Sequence, residues 1–183
     1  MNILIETTHL QLRPYQGDDL DDLHRLLTDP DVRRYLLDDT IVERDWVADE
    51  IEQTISCFKT RGFGQFAVLH KTDNAFIGFC GYRFFFNPPE CQLLYALFPT
   101  YWGRGLATEA ARAMIRYGFE TCGFDKILAC TDKENVPSQR VLEKAGMNFD
   151  RLAIIHGVET VYYALSAVDF NLDETPYRVV FKG

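Results

Sequence analysis

The sequence lacks the features that would place the protein at a membrane or on a nucleic acid. No apolar run approaches the roughly 20 residues of a membrane span. The first residues, Met1 to Glu6, have neither the basic flank nor the long apolar stretch of a signal peptide. The 19 Lys and Arg form no basic stripe and are outnumbered by 27 Asp and Glu. We therefore expect a cytoplasmic protein that binds neither membranes nor nucleic acids.

Metal and disulfide chemistry is also disfavoured. The five cysteines are odd in number and include no C-x-x-C pair, which is typical of reduced thiols in a cytosolic protein. The four histidines are scattered, and no two of them are four residues apart. The pattern therefore predicts no metal site.

What the sequence does contain is a glycine-rich turn at the start of a helix. The segment YWGRGLATEA begins at Tyr101, follows an apolar run over 93–98, and holds Gly103 and Gly105. Glycines allow a tight turn and a close approach of the backbone to a ligand. The first N–H groups of a helix have no internal partner and lie at the positive end of its dipole. The turn therefore predicts a phosphate site.

Two common phosphate-binding loops do not fit this turn. A Walker loop requires Lys-Ser or Lys-Thr after the glycines, and neither follows here. A dinucleotide-binding fingerprint requires Gly or Ala at its third position in an early βαβ unit. In this chain Thr108 occupies that position, and the loop lies beyond mid-chain.

The negative charge is concentrated in the first third of the chain. Residues 1–60 hold 14 acidic and 6 basic side chains, whereas residues 101–145 hold 6 acidic and 7 basic ones. Such an acidic segment either solvates helix faces or provides a field that attracts a cationic amine. Both interpretations stay open from the sequence.

Apolar periodicity predicts alternating helices and strands in one mixed sheet. Helices are expected over 18–27, 31–36, 42–60, 105–121 and 135–145, and strands over 10–14, 65–70, 76–86, 91–98, 126–131, 148–156 and 159–166. The crossover from strand 91–98 to strand 126–131 through a helix predicts parallel pairing of these two strands. The flanking hairpins predict antiparallel pairing.

The glycine turn resembles motif A of the GNAT acetyltransferases, Q/R-x-x-G-x-G/A. The matching residues run from Trp102 to Ala107, with Trp102 in place of the glutamine or arginine. In that family the backbone amides of this loop hold the pyrophosphate of coenzyme A. Because those contacts come largely from the main chain, a different side chain at Trp102 is compatible with the motif.

Two further segments resemble the same family. Residues 135–138 (NVPS) and 141–147 (VLEKAGM) are similar to its N-x-x-S…K-x-G-F element, with Met147 for the usual Phe. Residues 8–14 and 29–35 are similar to the branch that includes ribosomal-protein N-terminal acetyltransferases. The resemblance covers about residues 8–167.

The resemblance implies one acetyltransferase domain over 1–183, with a core at about 8–167 and a C-terminal tail or partner contact at 168–183. It implies an α/β fold whose mixed, mostly antiparallel twisted sheet has about six to seven strands, flanked by helices, with a splayed strand pair at the cofactor site. It also implies acetyl-CoA as the cosubstrate and no metal. The cofactor-binding residues are then expected to be Leu97, Phe98, Trp102, Gly103, Arg104, Gly105, Ala107, Thr108, Asn135, Ser138 and Lys144.

Acetyl transfer to an amine requires a donor to the oxyanion and a proton for the leaving thiolate. In the family the oxyanion donor comes from the backbone at the end of the strand before motif A. Here that means Leu97 or Phe98, because Pro99 has no N–H. Ser138 aligns with the serine that is often proposed as the acid, and it also fits a capping role in a first helical turn. Asn135 likewise fits a helix cap, a contact to pantetheine, or both.

The general base is open. Related sequences often carry Glu where this chain has Gln92, and a glutamine cannot take a proton. Glu90, two residues earlier, is on the same strand face if the strand extends that far, and it is otherwise a loop charge. Around pH 7.5 an α-amine is about a quarter to a third neutral, whereas a lysine-type amine is only about 0.1% neutral. The missing carboxylate therefore favours an α-amine acceptor or a water relay.

The predicted function is an acetyl-CoA-dependent N-acetyltransferase that works by direct attack in a ternary complex. The acceptor is either a peptide N-terminus or a small-molecule amine, and Trp46, Phe84 and Gln92 are expected to bind it. For the two aromatic residues a core position is the alternative. A second function, an acyl-CoA-binding sensor, is favoured by the glutamine at position 92. Either a monomer or a homodimer is compatible with the sequence.

Overall fold

The computed structural model describes residues 2–86 and 88–182, which form a nine-stranded sheet and five α-helices. The helices are α1 (Leu20–Thr28), α2 (Pro30–Leu36), α3 (Arg44–Arg61), α4 (Leu106–Glu120) and α5 (Val136–Lys144). The strands are β1 (Asn2–Glu6), β2 (Leu10–Pro14), β3 (Gln65–His70), β4 (Ala75–Phe85), β5 (Glu90–Leu97), β6 (Lys126–Asp132), β7 (Asn148–Ile155), β8 (Val158–Ser166) and β9 (Arg178–Lys182). Short 3-10 helices cover Gly17–Asp19 and Pro99–Tyr101.

The strand order across the sheet is β7-β8-β6-β5-β4-β3-β2-β1-β9. Strands β5 and β6 pair in parallel, as the crossover through α4 predicts, and the other pairs are antiparallel. The mixed, mostly antiparallel sheet is therefore confirmed. Its strand number is nine rather than six to seven, because β1 and β9 were not predicted.

The expectation of a C-terminal tail needs correction. Strand β9 pairs with β1 over five residues and forms one edge of the sheet. Before it, the Phe170 ring lies 5.0 Å from the Phe119 ring on α4. The segment is therefore part of the folded sheet. The assignment of 1–183 to a single domain stays a prediction, since Met1 and Gly183 lie outside the described residues.

The sheet separates two apolar cores. Helices α4 and α5 cover one face, where Ala110, Ala111 and Met114 of α4 are fully buried. The two alanines let α4 lie close to the sheet, and the Tyr82 hydroxyl donates to the Met114 carbonyl at 2.7 Å. Helices α1, α2 and most of α3 cover the other face through residues such as Leu26. We call these the α4 face and the α1 face.

Most predicted elements are confirmed, with ends that shift by one or two residues. One such shift is at α1, which begins at Leu20 rather than at residue 18. The Asp19 carboxylate accepts two hydrogen bonds from Arg13, both at 2.7 Å, and one from the Gln16 N–H at 2.7 Å. This buried anchor keeps the preceding turn in a 3-10 conformation. In the described residues, no helix combines the length and apolarity needed to cross a membrane.

Glu109, in the first turn of α4, ties the β1–β2 turn to this helix. Its carboxylate accepts hydrogen bonds from the Thr7 hydroxyl at 2.5 Å, the His9 N–H at 2.7 Å and the His9 ring at 2.8 Å. Burial by itself raises the pKa of this carboxyl, but the bonds from Thr7 and His9 outweigh it and lower the pKa. The carboxylate form is thus favoured in the folded state.

Glu109→Gln is expected to reduce stability in a pH-dependent way. A lowered pKa in the folded state contributes stability above the ordinary carboxyl value, about pH 4.5, and that contribution is lost as the pH falls through the lowered value. The difference in unfolding free energy between wild type and E109Q, measured by urea titration, should therefore be larger at pH 7 than at pH 3. The exposed α4 residue Glu120, changed to Gln, is the matched control. An equal difference at both pH values would contradict the role of the carboxylate.

Candidate active site

The cleft lies where β5 and β6 diverge. The two strands are in register only at Gln92 and Leu128, and beyond that pair they splay. A cleft of about 450 Å³ opens there, between residues 93–97 of β5 and residues 129–131 of β6. Its other walls come from α2, the glycine turn and α5. The splayed pair implied by the family resemblance is therefore present.

The glycine turn brings the start of α4 to this cleft. Gly103 and Gly105 have φ angles of 71° and 78°, in the left-handed region that favours glycine. A Cβ added at either position would meet no atom within 4 Å, so the space in front of the turn is open. Gly105 caps α4, and residues 106–108 of the first turn also line the cleft. The geometry is that of an anion-binding helix start.

Trp102 fixes the turn to the end of β5. Its indole Nε1 donates to the Leu97 carbonyl at 2.7 Å, and the ring stays half exposed at the cleft. The side chain that departs from the family motif therefore still has a role, since it sets the distance between strand end and helix start.

The end of β5 leaves one backbone donor for the cleft. The Phe98 N–H donates to the Ile77 carbonyl at 2.9 Å and is therefore occupied. Leu97 lies opposite Gly78, and this bond makes them a non-hydrogen-bonded pair of the antiparallel ladder. The Leu97 N–H is consequently directed away from β4, toward the gap beside β6.

Asn135 and Ser138 meet β5 at the cleft. The Asn135 side chain caps α5 by accepting from the Ser138 N–H at 3.3 Å. The Ser138 Oγ lies 2.8 Å from the Tyr95 hydroxyl, which is also 3.0 Å from the Ser138 carbonyl oxygen. Both interpretations of Asn135 are thus compatible, because a capping residue also lines the cleft.

Tyr95 is a cleft residue that the sequence analysis missed. It lies between Leu93 and Leu97 on β5, and all three pack toward the α4 face. Burial raises the pKa of its hydroxyl. The alternation of side chains along β5 could have predicted that Tyr95 lies on the same face as Leu97. Helix α5, which carries Ser138, covers that face.

Most of the predicted cofactor residues line one cleft. They are Leu97, Trp102, Gly103, Gly105, Ala107, Thr108, Asn135, Ser138 and Lys144. Phe98 and Arg104 are not among the lining residues. The Phe98 ring points to the α1 face, under the Arg25 guanidinium at 4.9 Å, and the Arg104 guanidinium lies 5.5 Å from the Tyr101 ring.

Glu90 and Gln92 point toward the α1 face and do not line the cleft. The Glu90 carboxylate accepts from the Gln92 amide at 2.6 Å and lies 3.6 Å from Arg151. The Gln92 carbonyl oxygen accepts from the Cys130 thiol at 3.1 Å, and Cys130 is a cleft residue. Burial raises the pKa of this thiol to about 11, so it is a neutral donor. A hydrogen-bonded chain therefore joins the cleft wall to Glu90.

Trp46 and Phe84 are not brought together. The Arg83 guanidinium lies 5.8 Å from the Trp46 ring and 2.8 Å from Glu50 on the α1 face. Phe84, the next residue of β4, packs on the α4 face with Phe63 at 5.9 Å between ring centroids. Neither ring lines the cleft, and Phe84 has the core position that was its alternative interpretation.

Acidic groups lie in the cleft wall and near it. Asp31 and Tyr35 of α2 line the cleft, and neither was predicted from the sequence as a site residue. Asp132, at the end of β6, has a raised pKa because of burial first, and then because of the negative charges of Asp38 and Glu134. Asp39, by contrast, is paired with Arg33 at 2.7 Å. The acidic first third of the chain thus reaches the cleft through α2 and the loop after it.

Comparisons with known proteins agree with this geometry. Residues 9–148 match the family described as "Acetyltransferase (GNAT) domain". The chain is 27% identical over 173 residues to the uncharacterized N-acetyltransferase YnaD of Bacillus subtilis, covering 91% of this chain and 99% of that protein.

Solved structures show the same fold. A GNAT-family acetyltransferase from Bacillus anthracis superimposes with a TM-score of 0.75 at 26% identity, over 90% of this chain and 99% of that chain. A ribosomal L7/L12 alpha-N-protein acetyltransferase in complex with coenzyme A superimposes with a TM-score of 0.76 at 15% identity, over 89% and 97%. The second likeness concerns the fold alone. Because the family model matches most of the chain and the structure has the splayed strands and the glycine turn, the chain belongs to the GNAT acetyltransferase family and is an acyltransferase.

Proposed function

We propose that the protein transfers an acetyl group from acetyl-CoA to a primary amine, by direct attack while both substrates are bound. The observation that carries the proposal is the cleft between β5 and β6. It is lined by the open glycine turn and by the carboxylate residue Asp31 of α2. The backbone amides of Gly103 to Thr108 would hold the pyrophosphate, and the gap beside β5 would hold the pantetheine arm. The amine would then enter from the α2 side.

The Leu97 N–H is the proposed oxyanion donor. It is directed into the gap, whereas the neighbouring Phe98 N–H is already bonded to Ile77. A backbone donor on a strand is pre-oriented, because the ladder to β4 holds it before any substrate arrives. Ser138, across the gap, is the proposed donor to the leaving sulfur.

The proposed acceptor arrives as a neutral amine. No carboxylate of β5 lines the cleft, and Glu90 is bonded to Gln92. An α-amine is neutral far more often near pH 7.5 than a lysine-type amine, so it depends less on a base. Glu90 can accept a proton only through water, because Gln92, which lies between Glu90 and the cleft wall, does not carry protons. A peptide N-terminus and a small-molecule amine both stay within the proposal.

The acceptor's KM is expected to depend on Asp38 and much less on Asp39. Asp38→Asn removes one charge from the group around Asp132 and should raise the KM of a cationic acceptor about 3-fold. Asp39→Asn is the matched control, because Arg33 already neutralises that carboxylate. The Asp38 effect should fade between about 50 and 500 mM salt, as the Debye length falls from roughly 14 Å to about 4 Å. Equal KM values for wild type and D38N at low salt would assign Asp38 to a solvated surface.

A thiol-release assay tests the proposed function. Purified protein with acetyl-CoA is tested against polyamines, amino acids, aminoglycosides and peptides with free N-termini. Amine-dependent release of CoA, with acetylated product identified by mass spectrometry, is the expected result. Tight acetyl-CoA binding without release by any acceptor would favour the sensor, for which the glutamine at position 92 is the supporting feature. Absence of acetyl-CoA binding would overturn both.

A further inference from the structure

Tyr95 and Ser138 form the one side-chain pair that joins β5 to α5 within the described wall of the cleft. The Tyr95 hydroxyl is 2.8 Å from the Ser138 Oγ and 3.0 Å from the Ser138 carbonyl oxygen. We propose that Tyr95 is a positioning residue that turns the Ser138 hydroxyl toward the sulfur of the bound thioester. The inference rests on the proposed function. It assigns to Tyr95 the control of the direction in which the Ser138 hydroxyl donates.

The rest of Ser138 is already fixed. Its backbone N–H is held by the Asn135 side chain at 3.3 Å, in the first turn of α5. What stays free is the rotation of the hydroxyl hydrogen, which decides whether Ser138 donates into the cleft. Tyr95 is the neighbour that controls this rotation, because its oxygen lies within hydrogen-bonding distance of the Oγ atom.

The Tyr95 and Ser138 hydroxyls carry one hydrogen each, so two hydrogen-bonding arrangements are possible between these residues. If Tyr95 donates to the Ser138 carbonyl, the Ser138 hydroxyl donates back to Tyr95 and is turned away from the cleft. If Tyr95 donates to the Ser138 Oγ, the serine hydrogen is released toward the cleft. A developing thiolate accepts that hydrogen and so favours the second arrangement. Burial keeps the Tyr95 hydroxyl protonated, so Tyr95 donates a hydrogen bond without giving up its proton.

The proton balance of the step is simple. The C–N bond forms, the C–S bond breaks, and the amine nitrogen loses one proton while the sulfur gains one. Ser138 passes its proton to sulfur and is reprotonated from the amine side through solvent. Tyr95 begins and ends the cycle protonated.

Kinetics with matched variants test the first consequence. Ser138→Ala should lower kcat about 10- to 100-fold, the worth of one hydrogen bond to a charged group, and Tyr95→Phe should lower it about 3- to 10-fold. In both variants the KM for acetyl-CoA should stay nearly fixed. Tyr95→Phe in the Ser138→Ala background should have no further effect, because the two residues act on one hydrogen bond.

Tyr163→Phe is the control variant. The Tyr163 hydroxyl donates to the Glu143 carboxylate at 3.1 Å, on the same helix α5, and Tyr163 does not line the cleft. Tyr163→Phe therefore removes a tyrosine contact to α5 without touching Ser138, and the kcat of this variant should match that of the wild type. Equal losses in Y95F and Y163F would mean that Tyr95 merely holds the helix in place.

A binding experiment tests the inference without any acceptor. Calorimetry compares CoA with desulfo-CoA, which lacks the sulfur, between pH 7 and pH 9. Wild type should increasingly prefer CoA as the pH rises, because Ser138 stabilises the bound thiolate. Both S138A and Y95F should lose most of this preference, and Y163F should keep it.

The outcomes separate the two proposals. The same preference for CoA in Y95F and wild type overturns the role of Tyr95, whether or not acetyl transfer is observed. A wild type without any preference at any pH also overturns it. Binding of neither ligand overturns the proposed function and this inference together.

Discussion

Replacing Gly105 with Asp is expected to weaken acetyl-CoA binding about 100-fold. Gly105 lies at the start of α4, and the space in front of it is open for a phosphate. A carboxylate there would face the pyrophosphate directly. Two like charges about 5 Å apart repel by roughly 3 kcal/mol at an effective dielectric near 20, which is about a 100-fold loss of affinity. Isothermal titration with acetyl-CoA measures the change.

Two controls isolate the charge from the backbone strain. Gly105→Asn has the same shape and the same positive φ as the Asp variant, but it carries no charge, so its affinity should fall much less. Gly123→Asp introduces the same charge at another glycine with a φ of 68° and open space, beyond the far end of α4. It should bind acetyl-CoA like wild type. Unchanged affinity in a folded G105D protein would remove the glycine turn from the cofactor site.

Gly78→Ala is expected to lower the free energy of unfolding by about 3 kcal/mol and to abolish turnover. An added Cβ at Gly78 would lie 2.1 Å from the Ala96 carbonyl oxygen and 2.7 Å from the Leu97 Cα. Both atoms are backbone, so β5 itself must move away from β4. That movement displaces the Leu97 N–H, the proposed oxyanion donor, and shifts the carbonyl that Trp102 binds.

Gly62→Ala provides the matched comparison for Gly78→Ala. Gly62 ends α3 with a φ of 79°, and an added Cβ there meets nothing within 4 Å. The loss of unfolding free energy in G62A should therefore be limited to backbone strain, about 1 kcal/mol, and turnover should be unchanged. Denaturant unfolding and acetyl-transfer kinetics measure both variants. If G78A is no less stable than G62A, the close approach of β4 and β5 is not what fixes the strand end.

The sequence predicted the elements of the cleft because each has a strong local signal. Gly103 and Gly105 meet a backbone demand that few other residues tolerate, and Asn135 caps a helix whose first turn holds Pro137. Parallel pairing of β5 and β6 followed from the α4 crossover, since a helix between two neighbouring strands returns the chain to the end at which a parallel strand begins. Local chemistry and short-range geometry were sufficient for these features.

The acceptor side was predicted less well, because it depends on which face a side chain takes. Trp46 of α3 and Phe84 of β4 are both aromatic and close to charged residues, yet they pack on opposite faces of the sheet. Glu90 does share the face of Gln92, but its partner Arg151 comes from β7, some sixty residues later. A pattern of residue types contains no information about such a distant partner.

The sequence by itself thus determined the family, the glycine turn, the mixed sheet and most residues of the cleft wall, because these follow from periodicity and from residues with narrow backbone preferences. Tertiary structure alone decided the rest. It paired Tyr95 with Ser138, occupied the Phe98 N–H with Ile77, and placed Asp38 near Asp132. It also turned the C-terminal segment into strand β9, because the edge of β1 offered unpaired backbone groups for it to bond. Each of these contacts joins parts of the chain that are far apart in sequence, so only the packing of the complete sheet could select them.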